Sequence, residues 1–363
     1  MAEMISIIIP NRNGEATIGK CLEAAFASRF EPFEVIVVDD CSGDRSVDII
    51  KRFPCRLIQL ERHSGAARAR NVGAQESRGD ILFFTDADCL MQEDTLSAVA
   101  RAFAEEGPGA VVGGSYTRIP HDKGFFSIFQ SVFINYSETK RPENPDYIAT
   151  HAMAIDAGLF RRQGGFDERF LPILEDVEFS HRLRKAGVRF VMRPEVLVQH
   201  IFNFSMLRSL RNALRKSTYW TVYSLGHRDV LADSGTAGAA LKTNVAAFFL
   251  SAFIAGAALA AGEAGLLWLI LAPLGANLAA SGGLLRAFGS AGGWMFGLLA
   301  GAYYMGVYPL AVGLGAVAGT VKYFGQLKKY RSLPPDHPSP PLDLSPPPSP
   351  SPLKGEGFGF GDR

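Results

Sequence analysis

Two carboxylates one residue apart directly follow a short apolar run in the segment GDILFFTDADC. The run Ile81–Phe84 predicts a buried strand, and Asp86 and Asp88 predict an acidic turn at its end. At the carboxyl end of a parallel strand, alternate carboxylates can hold a hard divalent cation, and that cation can bind a diphosphate. A D-x-D pair by itself is more often a solvated turn, so this hypothesis depends on the rest of the chain.

Two earlier apolar runs, at 5–9 and 35–38, also end in polar residues that a ligand could contact. With the helical spacing over 16–28 between them, they predict a β-α-β unit. The small residues at 41–43 suit a loop that approaches a ligand closely. Asp40 has a plainer alternative, which is to cap a helix near 44–53. The residues at these two strand ends are Pro10, Asn11, Asp39 and Asp40.

The segment GAARARNVGA, residues 65–74, predicts a helix that begins at a glycine and carries Arg68 and Arg70. Such a pair of arginines is usually a solvated face. Close to two acidic strand ends, however, guanidinium groups are suited to binding a diphosphate.

A second acidic pair, Glu175 and Asp176, opens a predicted helix that Gly187 closes. Carboxylates in a first helical turn are favoured by the helix dipole, so capping alone could explain them. Further on, the apolar residues 196–198 lead to His200. An isolated histidine is more often structural than a ligand.

The remaining patterns complete one α/β domain over residues 1–205 with a mostly parallel sheet. Further strands are predicted at 56–60, 111–116, 148–155 and 188–192, and an amphipathic helix at 93–105. The aromatic-rich segment 125–134 predicts an acceptor wall or a membrane-facing surface.

Composition excludes some classes of partner. The 363 residues carry a net charge of +1, so there is no overall attraction to nucleic acid. The four cysteines lack C-x-x-C spacing, which favours reduced thiols over a zinc site. The start MAEMISIIIP has no basic residue before its apolar run, so we expect no secretory signal and a cytoplasmic domain.

The composition changes after residue 205. Residues 206–240 mix arginines with large apolar side chains and predict an interfacial amphipathic helix and a linker, with an ordinary helix on the domain as the alternative. Three apolar stretches, 244–261, 265–285 and 294–321, predict about three transmembrane helices within 241–325. The Pro- and Ser-rich residues 326–363 predict a disordered tail.

The charges that flank these stretches leave the membrane topology open. Basic residues before 244 favour a cytoplasmic catalytic domain, Glu263 an outside loop and Arg286 an inside loop. Three crossings would then leave the basic residues at 322–331 outside, against the positive-inside tendency. A break at Pro309 into a re-entrant pair would return them to the cytoplasm.

Taken in order, the motifs resemble those of family 2 glycosyltransferases with the GT-A fold, of the bacterial membrane-associated kind. The resemblance covers about residues 5–200. It rests on VIVVDDCSGD, GAARARNVGA, GDILFFTDAD, GGFDE, the Glu-Asp pair with a downstream arginine, and a late V-x-H.

The resemblance implies roles for individual residues. Pro10, Asn11, Asp39 and Asp40 match the pocket for the nucleotide, Arg68 and Arg70 its basic stretch, and Asp86 the residue near the ribose. Asp88 matches the metal ligand, for Mg²⁺ or Mn²⁺, and His200 a second ligand found in some relatives. Asp176 matches the catalytic base, with Glu175 as its supporting neighbour.

The implied reaction is inverting transfer of one sugar from a UDP- or GDP-sugar to a hydroxyl of a lipid-linked or other glycan acceptor at the inner membrane. The segment Thr150-His151-Ala152-Met153 departs from the asparagine-containing acceptor stretch of many relatives, which leaves the acceptor chemistry open. The Q-x-x-R-W signature of processive synthases is absent, so single transfer is favoured over a polysaccharide synthase subunit. A nucleotidyltransferase and a non-catalytic membrane scaffold with a degenerate transferase domain are the rival hypotheses.

Overall fold

A computed structural model of the chain describes residues 3–143, 145–168, 173–227, 230 and 233–331, with side chains described up to residue 325. The predicted Pro-rich tail therefore lies, from residue 332 on, outside the described residues. The chain divides into two compact units. The sheet unit contains the residues up to His121 and Glu138–Phe202, and the helical unit contains Asp122–Ser137 and the chain from Asn203 onward.

Strands and helices alternate through the first 200 residues. A 3-10 turn, Thr150–Ala152, precedes the seventh strand. In chain order the elements are β1 Ile5–Asn11, α1 Ile18–Phe26, β2 Phe33–Asp39, α2 Ser46–Ile50, β3 Arg56–Gln59, α3 Ala66–Glu76, β4 Ile81–Phe84, β5 Cys89–Met91, α4 Thr95–Glu106, β6 Ala110–Tyr116, α5 Phe125–Thr139, β7 Met153–Asp156, α6 Ala157–Arg162, α7 Glu175–Lys185 and β8 Arg189–His200.

The eight strands of the described residues form one mixed sheet in the order β3-β2-β1-β4-β7-β6-β8-β5. β1 pairs in parallel with β2 and β4, β2 with β3, and β6 with β8. The strand β7 is antiparallel to both β4 and β6, and β5 is antiparallel to β8. The predicted α/β fold is confirmed, and the carboxyl ends of β1 to β4 meet at one edge of the sheet.

Close packing of α3 on β1 explains a glycine of the basic stretch. A Cβ atom on Gly73 would lie 2.5 Å from Cγ2 of Ile8, so any larger residue would push the helix off the strand. Both faces of β1 are buried, as expected of a strand inside a parallel sheet with helices over it. The glycine therefore sets the distance between the sheet and the helix that carries Arg70.

Four phenylalanines tie the end of β4 to the start of α7. The ring of Phe84, the last residue of β4, lies 5.2 Å from that of Phe160 and 5.3 Å from that of Phe166. The ring of Phe166 lies 4.9 Å from that of Phe179 in α7. All four side chains are buried, and aromatic pairs at such distances stabilise beyond their buried area.

Two strand predictions differ from the structure, and one further strand was not predicted. The predicted strand at 188–192 continues through the apolar residues 196–198 to His200, because a bulge near Pro194 lets β8 continue past the proline. Only the second half of the predicted strand 148–155 is extended, since residues 150–152 form the 3-10 turn. The short strand β5 has no sequence pattern of its own, because only its pairing with the distant β8 defines it.

The helical unit contains the longer helices. Its stretches Ala239–Ala261 and Ala264–Gly325 have the length and hydropathy of candidate membrane spans. Its helices after residue 203 are α8 Met206–His227, α9 Ala239–Ala261, α10 Leu271–Gly306 and α11 Tyr308–Arg331, with a 3-10 segment Ala264–Ile270 before α10.

The third predicted membrane stretch, 294–321, consists of two helices, since α10 ends at Gly306 and α11 begins at Tyr308, close to the break suggested at Pro309. The chain reverses direction within α10 at Gly293. Its φ of 81° lies in the left-handed region, which glycine adopts readily. A Cβ on Gly297 would lie 2.8 Å from the Cα of Gly289, so the two arms of this hairpin touch at glycines. A further break follows at Val307, and Pro309 lies in the first turn of α11, where its missing N–H costs no helical hydrogen bond. The arm 294–306 is about 20 Å long, which is shorter than the ~30 Å hydrocarbon core.

Candidate functional site

The nucleotide-side residues of the prediction meet where β1 and β2 end. Asn11 and Asp39 are register partners in these parallel strands, and both are buried. The Asn11 Nδ2 donates to Asp39 Oδ1 at 2.7 Å, and Ser42 Oγ donates to the same oxygen at 2.6 Å. The backbone N–H of Ser42 donates to Asp39 Oδ2 at 3.0 Å. Asp39 therefore organises the loop after β2, while Pro10 lies buried one residue before Asn11.

The loop after β1 lies beside the D-x-D turn. A Cβ on Gly14 would lie 3.7 Å from the Cβ of Ala87, the residue between Asp86 and Asp88. The same added atom would overlap Oδ1 of Asn11. A side chain at position 14 would therefore collide with Asn11, which explains a glycine here.

Asp40 is engaged by the loop before α3. Its carboxylate accepts hydrogen bonds from the N–H groups of Ser64 at 2.7 Å and Gly65 at 2.8 Å, and it lies 2.7 Å from Nδ1 of His63. Asp40 thus fixes the loop that leads into α3. The alternative that it caps the helix near 44–53 is wrong, because both of its oxygens are engaged by this loop.

Arg70 joins the D-x-D turn to the Glu-Asp pair. Its Nη2 donates to Asp86 Oδ1 at 2.7 Å and its Nη1 donates to Glu175 Oε1 at 2.5 Å. The arginine is 1% exposed. A guanidinium bridging two carboxylates that are 16 and 105 residues away along the chain brings two predicted parts of the site together. In this arrangement the cation compensates site carboxylates and does not face solvent.

The next residue, Asn71, belongs to the A-R-N stretch, but nothing in the sequence distinguishes it as a site residue. Its Nδ2 donates to the carbonyl of Phe166 at 2.8 Å, and its Oδ1 accepts from the N–H of Phe166 at 2.9 Å. A Cβ on Gly165 would lie 2.6 Å from that Oδ1. Asn71 therefore pins the G-G-F-D-E turn to α3, and Gly165 leaves the room for it.

Arg68 lies two residues before Arg70 and on a different face of α3. Its Nη1 is 3.2 Å from Glu168 Oε1, and both side chains are substantially exposed. The structure thus brings Arg68 to the G-G-F-D-E turn and not into the buried chain of Asp86, Arg70 and Glu175.

Asp176 occupies the first turn of α7 next to Glu175. Its Oδ1 accepts from the N–H of Val177 at 2.9 Å and its Oδ2 from the N–H of Thr150 at 3.3 Å. Burial, followed by the neighbouring charge of Glu175, raises the pKa of Asp176 to about 6, against the opposing effect of Arg70. The group is therefore mostly ionised at neutral pH and close to the range suited to a general base.

Asp88 and His200 meet on the other side of the D-x-D turn. Nε2 of His200 lies 3.5 Å from Oδ1 of Asp88, and both residues are buried. Cys89 completes a group of three ligand atoms that lie within 4.8 Å of one another. A carboxylate oxygen and an imidazole nitrogen together fit a divalent transition-metal ion.

A second buried pair lies next to this region. Nε2 of His151 is 3.3 Å from Oε2 of Glu138, which also accepts from Ser115 Oγ at 2.7 Å. The His151 ring stacks on Tyr116 with centroids 4.0 Å apart, and Tyr116 meets His200 edge-on at 5.0 Å. Burial and the nearby acidic groups raise the pKa of Tyr116 well above its usual value. The unusual segment 150–153 therefore places a buried imidazole beside the predicted metal group.

Comparison with known proteins gives the family. Residues 6–164 match the sequence model described as Glycosyl transferase family 2. Residues 6–164 therefore form a family 2 glycosyltransferase domain. The matched part runs from β1 to the turn after α6. It includes the D-x-D turn and Arg70, whereas Glu175, Asp176 and His200 follow it in the chain.

Two relatives indicate how far the similarity of this chain to known proteins extends. An uncharacterized glycosyltransferase of Haemophilus influenzae is 46% identical over 92 residues, which is 25% of this chain and 31% of that protein. Glycosyltransferase AglE of Haloferax volcanii is 33% identical over 209 residues, 54% of this chain and 66% of that protein. The chain thus spans about a third of the first relative and somewhat under two thirds of the second.

A solved structure extends the likeness in fold. Mannosyltransferase PcManGT of Pyrobaculum calidifontis, solved with GDP-Man and Mn²⁺, superimposes with a TM-score of 0.55 and 18% identity. The match covers 90% of this chain and 88% of the solved chain. At this identity the comparison establishes the fold, and it agrees with the GT-A architecture of the sheet unit.

Replacing Arg70 with methionine is expected to destabilise the protein by about 3–5 kcal/mol, because the change leaves Asp86 and Glu175 buried without their partner. The matched change Arg68→Met, in the same helix but in an exposed pair, is expected to cost at most about 1 kcal/mol. Thermal unfolding of the detergent-solubilised full chain measures both. Equal losses in the two variants would contradict the assigned role of Arg70.

Proposed function

We propose that this protein transfers one sugar from a UDP- or GDP-sugar to a hydroxyl of a lipid-linked or other cell-envelope acceptor, with inversion at the anomeric carbon. One observation carries the proposal. Arg70 links the D-x-D turn to the Glu-Asp pair of α7 at the sheet edge where Asn11 and Asp39 also lie. Residues suited to binding the nucleotide, residues suited to binding its diphosphate, and a candidate general base thereby lie within one region of the sheet unit.

The nucleotide side of the donor is assigned to the loops after β1 and β2. Asp39 is held by Asn11 and Ser42, so its carboxylate is fixed in orientation before any ligand binds. Asp86 is fixed in the same way by Arg70 and is assigned to the ribose. Such preorganised acceptors suit the N–H and hydroxyl donors of a base and a ribose.

Asp88 and His200 are assigned as ligands of a divalent cation, Mg²⁺ or Mn²⁺. When bound, such an ion neutralises the diphosphate and so makes the nucleoside diphosphate a better leaving group. The carboxylate and imidazole are buried and already close to each other, so little reorganisation is needed to bring them to one ion.

Asp176 is assigned as the general base that removes the proton of the acceptor hydroxyl as its oxygen attacks the anomeric carbon. The two N–H donors from Thr150 and Val177 hold its carboxylate in one orientation. Its pKa of about 6 keeps it ionised at neutral pH without making it too weak a base. A direct attack opposite to the leaving diphosphate inverts the anomeric configuration.

The helical unit supports an acceptor at a membrane surface. Large apolar side chains of α9 and of the segment after it face outward, including Phe253 at 73%, Leu259 at 86% and Trp268 at 74% exposure. In α8 the exposed side chains include Met206 and Leu207, which lie at the start of a stretch that carries several arginines. Outward apolar surface of this extent suits lipid contact, and the basic residues of α8 suit an anionic leaflet. We therefore propose a multi-pass inner-membrane protein with a cytoplasmic sheet unit.

The test uses the detergent-solubilised full chain with a panel of UDP- and GDP-sugars, Mn²⁺ or Mg²⁺, and a bacterial lipid extract. GDP-Man with Mn²⁺, the pair present in the structural neighbour, is the first combination to try. We expect release of nucleoside diphosphate together with lipids that gain one hexose or hexosamine by mass spectrometry. Lipids that gain long sugar series would favour a processive synthase, and no consumption of any donor would contradict the proposal.

The two aspartates after β2 are expected to respond differently to removal of their charge. Asp39→Asn is expected to weaken nucleotide binding by about tenfold or more, since a hydrogen bond to a charged group contributes about 1.5–3 kcal/mol. Asp40→Asn is expected to lower the unfolding temperature instead, because the Asp40 carboxylate accepts the N–H groups of Ser64 and Gly65 and so fixes the loop before α3. Isothermal titration with UDP and GDP, together with thermal unfolding, separates the two outcomes. Unchanged nucleotide affinity in Asp39→Asn would remove Asp39 from the pocket.

A further inference from the structure

We infer that Cys89 is a third protein ligand of the cation centre, and that this centre takes thiophilic divalent ions such as Zn²⁺ in preference to Mg²⁺. The inference rests on the proposed cation role of Asp88 and His200. It adds a ligand that C-x-x-C spacing does not indicate, and it changes the class of metal expected at the site.

The register of β5 on β8 places the thiol there. Cys89 and His200 are direct partners in this antiparallel ladder, and cross-strand partners project their side chains from the same face of a sheet. The N–H of Ile201 donates to the carbonyl of Asp88 at 2.9 Å, which fixes the register at this end. The N–H of Cys89 donates to the carbonyl of Asp86 at 2.9 Å and closes the D-x-D turn.

The distances suit coordination of one ion. Sγ of Cys89 lies 3.8 Å from Oδ1 of Asp88, and Nε2 of His200 lies 3.5 Å from the same oxygen. Ligands at about 2.0–2.3 Å from a tetrahedral Zn²⁺ are separated by roughly 3.3–3.6 Å. The group would therefore close on an ion with small movements of its side chains.

The donor set determines which ions it prefers. Mg²⁺ takes oxygen ligands in a near-ideal octahedron, whereas thiolate and imidazole favour Zn²⁺ and similar ions. Three protein ligands are also the number found in catalytic zinc sites, which leave the fourth position to water or substrate. On binding, the Cys89 thiol exchanges its proton for the metal ion, and the proton leaves to solvent.

The plainer role for Cys89 is to fill space in the core, as buried cysteines often do. Cys21 provides the comparison, because it is also buried and its Sγ lies 3.5 Å from the carbonyl oxygen of Asp86. Within the described ranges, however, the one group of three candidate ligands is formed by Asp88, Cys89 and His200. The two cysteines therefore make a matched pair for a test.

The decisive measurement is X-ray absorption at the zinc edge on the detergent-solubilised full chain loaded with one equivalent of Zn²⁺. We expect one sulfur at about 2.3 Å together with nitrogen or oxygen ligands at about 2.0–2.2 Å. In Cys89→Ser the sulfur signal is expected to disappear and the Zn²⁺ affinity to fall at least about 10-fold. Loss of a residue that only supports a metal ligand already costs about that much. The Mg²⁺ affinity of Cys89→Ser is expected to stay unchanged. Cys21→Ser and Cys41→Ser are expected to keep the sulfur.

Two results would overturn the inference. One is a zinc spectrum of the parent protein with nitrogen and oxygen ligands only, which needs no variant and so stands even if Cys89→Ser fails to fold. The other is a sulfur ligand that persists in Cys89→Ser. Release of nucleoside diphosphate with Mn²⁺ is measured on the same protein. Turnover without a sulfur ligand would keep the proposed function and contradict only the role of Cys89. A sulfur ligand without turnover on any donor would support the role of Cys89 and contradict the proposed function.

Discussion

Replacing Asp88 with alanine is expected to reduce metal-dependent release of nucleoside diphosphate by about 100- to 1,000-fold, the cost of losing one preorganised electrostatic contact to a developing charge. Asp88 is buried, and its carboxylate lies within ligand distance of both His200 and Cys89. The measurement is a coupled assay for nucleoside diphosphate across a Mn²⁺ titration, with the full chain in detergent.

The control for this variant is Asp48→Ala, which removes a carboxylate in the first turn of α2. We expect it to retain the parent rate and the parent dependence on Mn²⁺. A melting curve for each variant excludes unfolding as the cause of a loss. Equal rates for the parent and Asp88→Ala would contradict the assignment of the cation to this turn.

Asp176→Asn is expected to lower sugar transfer by about 10²- to 10⁴-fold, the usual contribution of general acid–base catalysis, while nucleotide binding is retained. In the parent, the rate is expected to rise with pH through about 6 and then level off, because Asp176 acts in its ionised form and its pKa is raised to about 6. The residual activity of the asparagine variant is expected to lack this rise. Glu178→Gln, which changes an acid of the same helix that pairs with Arg182, is the matched control.

Stability offers an independent check on Asp176. An unperturbed aspartate titrates near ~3.9, so a folded-state pKa of about 6 means that the folded protein binds this proton more tightly than the unfolded chain does. This contribution to stability is complete at low pH and is lost as the pH rises from about 4 to about 6. At pH 7 the asparagine variant is therefore expected to unfold at a higher temperature than the parent. Unchanged transfer in this variant would show that another group is the base.

Several parts of the site can be predicted from the sequence because each is a local pattern. Apolar runs that end near Asn11, Asp39 and Asp86 identify strands with polar carboxyl ends, and parallel strands share that edge. The Glu-Asp pair opens a helix because carboxylates suit a first turn. Local periodicity is enough for these features, since each depends on residues close together in the chain.

Features that depend on pairing between distant segments cannot be predicted in this way. Strand β5 is short, and only its partner β8 defines it, so no local pattern sets Cys89 opposite His200. The burial of Arg70 and the exposure of Arg68 follow from which side of α3 faces the sheet, although both arginines look alike in the motif. The helical hairpin at Gly293 is a similar case, because the sequence is apolar on both sides of the turn and its pattern does not indicate where the chain reverses.

The sequence by itself determined the α/β class, the family resemblance, the order of the acidic strand ends and the apolar character of the region after residue 205. Hydrophobic periodicity and turn residues act over a few positions, so they can be read along the chain. Tertiary structure alone decided that Arg70 is a buried bridge, that Asp40 fixes the loop before α3, and that a thiol lies within reach of Asp88 and His200. The physical reason is that burial and cross-strand register are set by contacts between residues far apart in sequence, and these contacts determine which charges are compensated and which ligand atoms meet.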